Sequence, residues 1–258
     1  MKTIVTAGVK NADIDVFACA IAYAELLKLE GKQAVPVIPG EFTSTITPSI
    51  LDWGAKYETV YKSQSDERFV IVDISDPDQL PAFVDTRKVD EVYDHRHGYE
   101  QHWEHLGGDK HIEMVGACGT LMWEQFEKRG QVGNISQISA KLLLASIVSN
   151  NLAFRSPLTT DRDRSAYTKL SKITDLGDTW VAEYSREQEE ILLKNFEQYL
   201  KADIKRFNTP IEEFVIAQAE VWDATELLET KTEEMARIMT EFEPHPWIVN
   251  ILNIGSFP

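Results

Sequence analysis

Side chains able to hold a metal ion stand together at Asp94-His95-Arg96-His97. A carboxylate beside an imidazole, after the apolar positions Val89, Val92 and Tyr93, offers oxygen and nitrogen donors to a divalent cation. Five of the six histidines lie between His95 and His111. A polar loop rich in histidine would have the same composition, so the weight falls on ligands from other segments. His97, His102 and His105 are a separate candidate for a second metal group.

Other carboxylates follow other apolar runs. Ile4, Val5 and Ala7 form a short strand that enters the polar turn Gly8-Val9-Lys10-Asn11-Ala12-Asp13-Ile14-Asp15. Phe69-Val70-Ile71-Val72 is continuously apolar, the pattern of a strand buried on both faces, and it ends on Asp73. Residues 89–93 form a further strand ending on Asp94. Between the first strands, Phe17, Ala20, Ile21, Ala24 and Leu27 recur at helical spacing and predict a helix over 16–30, stopped by Gly31. A second strand is expected at 34–38 and a short helix at 48–53.

Alternating strands and helices predict an α/β protein with a parallel sheet and helices on both faces. In open sheets of this kind ligands bind outside the carboxyl ends of the strands. Asp13, Asp15, Asp73, Asp94 and His95 would then meet at one edge. Each aspartate could equally be a turn or cap residue; their coincidence favours a metal site. The small residues from Gly116 to Thr120, opening a helix, would present backbone N–H groups to an anion. Ser136 is expected to cap the next helix.

Periodicity fades over 176–185, the expected linker. The organisation predicted is a metal-binding domain over 1–184 and a smaller α/β domain over 185–258. In the latter, helices are expected at 186–200 and 226–242, with strands at 213–219 and 247–253.

The chain has 258 residues, 43% hydrophobic and 26% charged, as in ordinary globular proteins. A net charge of −16 argues against broad nucleic-acid binding or an anionic membrane surface, but not against a small anion neutralised locally by metal and a few basic side chains. No apolar run approaches the roughly 18–20 residues of a membrane span. The apolar part of the N-terminus is too short for a secretory signal, and Cys19 and Cys118 do not suggest a disulfide framework. A cytoplasmic location is the expectation.

These motifs, in this order, resemble the DHH phosphoesterase superfamily, and within it the branch of manganese-dependent (family II) inorganic pyrophosphatases and prune-type exopolyphosphatases. The opening turn is similar to G-H-x-N-P-D-x-D. Asp73 stands where the family places an aspartate bridging two metals. Asp94-His95-Arg96 stands at the D-H-H position and looks like the D-H-R of prune. Residues 115–121 resemble V-G-S-x-A-T, and residues 142–157 resemble the segment L-L-L-S-A-I-L-S-D-T-L-N-F-x-S-P. A weaker likeness continues into a DHHA2-type second domain, where Asp203-Ile204-Lys205-Arg206-Phe207 resembles a segment carrying a substrate-binding lysine.

The resemblance implies hydrolysis of phosphoric anhydrides, inorganic pyrophosphate or short polyphosphate, by metal-activated water. It implies two ions, Mn²⁺ with Mg²⁺ or Co²⁺ as alternatives, and a homodimer. Asp13, Asp15, Asp73, His95 and Asn150 would be metal ligands. Asp73, Asp94 and Arg96 would be catalytic, with Asp94 orienting His95. Arg96, Lys205 and Arg155 would bind substrate. Three departures qualify this. Val9 replaces a histidine ligand, Asn150 an aspartate ligand, and Arg96 the second histidine. The family's basic C-terminal pair has no counterpart here, so the expectation is either a shortened second domain or another source of positive charge. Two other readings stand beside the hydrolase: a catalytically impaired homologue binding phosphate compounds or a protein partner, and a DHH oligonucleotide phosphodiesterase.

Overall fold

A computed structural model describes residues 1–202, 204–242 and 245–255. They divide into two compact units, Met1–Gly177 and Asp178–Pro258. In the first, β1 (Lys2–Thr6) leads through β2 (Asn11–Ala12) into α1 (Ile14–Leu29). Then come β3 (Gln33–Val37), β4 (Glu41–Phe42), α2 (Pro48–Leu51), β5 (Glu67–Val72), β6 (Val89–Asp94) and β7 (Lys110–Ile112). Helices α3 (Cys118–Lys128), α4 (Gln137–Asn150) and α5 (Asp161–Leu170) complete the unit.

The main sheet has the order β3-β1-β5-β6-β7, and every pairing in it is parallel. From β1 the chain goes outward to β3, then returns to build β5, β6 and β7 on the other side. The reversal lies between β1 and β5, where the loops after two neighbouring strands part and leave a crevice. One face of the sheet is packed by Ile4, Val37, Phe69, Ile71, Val92 and Trp103.

Helix α1 differs from the one-sided helix expected. Ile14 to Ala24, Leu26 and Leu27 are all buried. The sheet covers one side, and α3 and α4 cover another, so the apolar positions run around the helix. Asp15 is carried into this interior by its place in the first turn. Ser136 caps α4 as expected, accepting from Ser139 N at 3.1 Å.

The second unit contains α6 (Trp180–Lys194), α7 (Phe196–Ala202), β8 (Lys205–Asn208), β9 (Glu213–Val221), α8 (Ala224–Thr240) and β10 (Trp247–Asn253). Its sheet is mixed, order β10-β9-β8, with β10 parallel and β8 antiparallel to β9. Along β9, Val215, Ala217, Ala219 and Val221 alternate inward against Leu227, Met235 and Ile238 of α8. The expected linker is shorter than predicted. Val181 and Tyr184 are buried on α6, which therefore starts ahead of residue 186, and the units part before residue 184. Lys205 lies on an edge strand of this sheet.

Candidate metal centre

Three loops at the carboxyl edge of the first sheet supply the site. Asp73 directly follows β5; its backbone N–H donates to Tyr93 O at 2.8 Å, and its φ is 54°. A non-glycine residue in the left-handed region is uncommon, and such strain gathers at functional positions. His95 directly follows β6, and Asp15 comes from α1. One ligand atom from each of Asp15, Asp73 and His95 lies within 4.8 Å of the others, the one such group among the described residues. His95 Nε2 is 3.3 Å from Asp73 Oδ1 and 3.9 Å from Asp15 Oδ2. Its Nδ1 lies 3.2 Å from Val115 O, which can only accept. The proton therefore sits on Nδ1 in the neutral ring, and Nε2 offers its lone pair to the carboxylate side.

Asp15 is fully buried and heavily supported. It accepts from Cys118 N and Gly119 N at 2.8 Å each, from Ser146 Oγ at 2.6 Å, from Cys19 Sγ at 3.3 Å, and from Asn150 Nδ2. The backbone N–H groups that the sequence offers to an anion are thus taken by a carboxylate of the chain itself. Those N–H groups open α3, whose dipole favours the negative charge. Gly119 makes the approach feasible: a Cβ there would lie 2.1 Å from Ser146 Oγ. A second buried carboxylate, Asp163, fastens the same turn, taking Gly116 N at 2.9 Å and Thr120 Oγ1 at 2.6 Å.

Asp13 lies outside the close group. Its Oδ1 caps α1, accepting from Asp15 N and Val16 N at 3.0 Å each. Asp94 is buried; Oδ2 accepts from Ser75 Oγ at 2.6 Å, and Oδ1 from His95 N at 2.8 Å and Arg96 N at 3.2 Å. It fixes the backbone of the motif, whereas the His95 ring meets Val115 O; the expectation that Asp94 orients the ring gives way to that geometry. Arg96 Nε is 3.2 Å from Asp94 Oδ1, its terminal nitrogen is 3.0 Å from Asp73 Oδ1, and it also donates to Asp73 O. A pocket of about 280 Å³ opens beside it, lined by Ser75, Asp76, Gln79, Asp94 and Tyr99 among others.

Val9 is exposed, and its N–H donates to Gln79 O at 3.1 Å. Arg155 is exposed in the turn after α4, which passes through three consecutive left-handed residues, Leu152, Ala153 and Phe154. Lys205 is exposed on β8 of the second unit, and Asp203 lies outside the described residues. His97 pairs with Glu100, and His102 and His105 pack on Trp103, so they form no second ligand group. Cys19 and Cys118 are free and buried under Asp15; burial pushes both thiols up, Cys118 to about 12.

Close packing of charge shapes the protonation states. Burial, then the charges of Asp73 and Asp15, push Asp13 up to about 7. Burial also raises Asp73, against the charge of Arg96. For His95, burial disfavours the charged ring, but the hydrogen bond and charge of Asp73 outweigh it and lift the group to about 9. The imidazolium and the Arg96 guanidinium are the cations facing Asp73. A divalent ion would displace the imidazole proton and take up the clustered negative charge. Two carboxylates and one imidazole suit Mn²⁺, with remaining positions open to water or substrate.

Sequence reasoning overlooked Val115, Ser75 and Ser146. The one hint was Ser146, a small hydroxyl within an otherwise apolar helix face.

No family model matches the chain. It is 29% identical over 233 residues to a Bacillus cereus protein named "Probable manganese-dependent inorganic pyrophosphatase", covering 88% of this chain and 74% of that protein. A Lactobacillus delbrueckii subsp. bulgaricus protein of the same name is 29% identical over 258 residues, covering 96% and 82%. The fold is similar to that of a Methanococcus jannaschii protein provisionally named a family II inorganic pyrophosphatase, with TM-score 0.71 and 24% identity, over 98% of this chain and 84% of the other. It is also similar to an exopolyphosphatase-related protein of Bacteroides fragilis, with TM-score 0.60 and 12% identity, over 94% and 73%. Relatives and fold bear out the resemblance carried by the motifs.

Proposed function

We propose that the chain is a metal-dependent hydrolase of phosphoric anhydrides, acting on inorganic pyrophosphate or short polyphosphate. The observation that carries this reading is the convergence of Asp15, Asp73 and His95 within 4.8 Å. The relatives' manganese dependence supports Mn²⁺ as the ion. Asp15, Asp73 and His95 would hold it, and when bound it would act as a Lewis acid and lower the pKa of a coordinated water.

The chain's own residues do the rest. Val115 O keeps the His95 ring with Nε2 toward the ligand group. The donors around Asp15 hold its carboxylate in place before any ion arrives, and an ion on Oδ2 would take the position of the Asn150 amide N–H. Asp94 fixes the backbone of residues 95 and 96, and Arg96 stands at the mouth of the adjoining pocket as a contact for a phosphate oxygen. Arg155 and Lys205 remain proposed phosphate contacts on the family resemblance alone. The resemblance implies a second ion on Asp13 and Asp73, but Val9 contributes no donor there. Asn150 turns its amide N–H to Asp15.

Those departures favour a second reading, a homologue that binds phosphate compounds with little turnover. Phosphate release from pyrophosphate, tripolyphosphate and a dinucleotide, with Mn²⁺, Mg²⁺ and Co²⁺ in turn, separates the two. Release that is lost in Asp73→Ala supports the hydrolase. Metal binding without release supports the binding homologue. Release from the dinucleotide alone would point to phosphodiester chemistry.

A further inference from the structure

Asp73 Oδ1 lies between an imidazole and a guanidinium, 3.3 Å from His95 Nε2 and 3.0 Å from the Arg96 terminal nitrogen. One of these groups belongs to the ligand group, and its Nε2 can offer a lone pair to an ion. The other cannot: a guanidinium keeps its charge and has no lone pair to offer. Arg96 is also tied to Asp94 Oδ1 and to the Asp73 carbonyl oxygen. Its charge reaches Asp13 as well.

The donors for a second ion on that side are few. Asp13 already spends Oδ1 on the cap of α1, and Val9, at the position where the family resemblance expects a histidine, is an exposed hydrocarbon. A second dication there would have two carboxylates to share and a fixed positive charge against it.

We propose that the Arg96 guanidinium takes the place of a second metal ion, so that the chain binds a single divalent ion on Asp15, Asp73 and His95. This rests on the reading of the site as a metal centre. Arginine neutralises the Asp73 and Asp13 side permanently, whereas the Asp15 side waits for the ion.

The test is Mn²⁺ stoichiometry on the full chain after chelator treatment, by equilibrium dialysis with elemental analysis and by electron paramagnetic resonance of the bound ion. The expected result is one Mn²⁺ per chain with the spectrum of an isolated ion, and the same in Val9→His. Combining Val9→His with Arg96→Ala, or with Arg96→Gln should the first fold poorly, is expected to raise the count to two with a spin-coupled spectrum. Two ions in the unaltered chain overturn the proposal and leave the metal centre standing. So does a second ion in Val9→His alone, or a count that stays at one when Arg96 is replaced. No bound Mn²⁺ in the unaltered chain overturns the metal centre itself, and this proposal with it.

Discussion

The two sides of the centre are built differently. On one, Asp15 is fully buried and meets two backbone N–H groups, a hydroxyl, a thiol and an amide. On the other, Asp13 is only partly buried, caps its own helix and lies within the charge influence of Asp73 and Arg96. The first side holds its negative charge with neutral donors, one of which can give way to an ion without a charge opposing it. The second holds it with a full positive charge, which competes with an ion. The difference teaches that carboxylates of one site can be held in two ways, and the supports of Asp15 come from helices that the fold needs anyway.

Changes at Asp73 should erase the distinction. Asp73→Ala is expected to lower phosphate release to background and to abolish tight Mn²⁺ binding, measured by colorimetric phosphate assay and calorimetry. Retained release would remove Asp73 from both sides at once.

Gly119→Ala should break the Asp15 side selectively. The added Cβ would sit 2.1 Å from Ser146 Oγ, forcing the start of α3 away from Asp15. The cost expected is about 2–4 kcal/mol in urea unfolding. Gly133→Ala, where a Cβ meets nothing within 4 Å, should change stability by less than about 0.5 kcal/mol.

Next comes pH. The native state holds Asp13 at about 7 against an ordinary 3.8, and His95 at about 9 against 6.5. Both are raised, so the folded chain binds protons that the unfolded chain releases. That stability is complete below the ordinary values and is lost as pH rises through about 7 for Asp13 and about 9 for His95. The metal-free protein should melt progressively lower between pH 4 and pH 9, by several degrees in a differential scanning fluorimetry series, and saturating Mn²⁺ should flatten the trend. A metal-free melting temperature that rises over this span would contradict the assigned environments.

Asp13→Asn gives the smallest effect. Asparagine keeps the cap on α1 and stands in for the protonated carboxyl, so at pH 4 metal-free stability should shift by less than about 1 kcal/mol. A larger loss would place Asp13 with Asp15 as a buried support rather than opposite it.

Much of the site was legible because its signals are local. Asp73, Asp94 and His95 follow apolar strands directly, and Asp13 and Asp15 sit in the turn between β1 and α1; strand ends in a parallel sheet share an edge. The departures at Val9, Arg96 and Asn150 were equally visible. The orientation of the His95 ring was not, because its partner Val115 lies on the loop between β7 and α3 and is a backbone oxygen, which no side-chain pattern advertises. The start of α6 was missed because Val181 and Tyr184 gain their meaning only from what they pack against.

By itself the sequence determined which donors exist and on which strand ends, and its resemblance to the family marked Val9, Asn150 and Arg96 as departures. Tertiary structure alone decided how each is used. Asp15 rather than Asp13 joins the close group, the N–H groups before α3 answer Asp15, and Arg96 settles on Asp73. Those pairings join segments dozens to more than a hundred residues apart. They depend on strand order and on the packing of α1 against α3 and α4, where each buried polar group must find its partner in space.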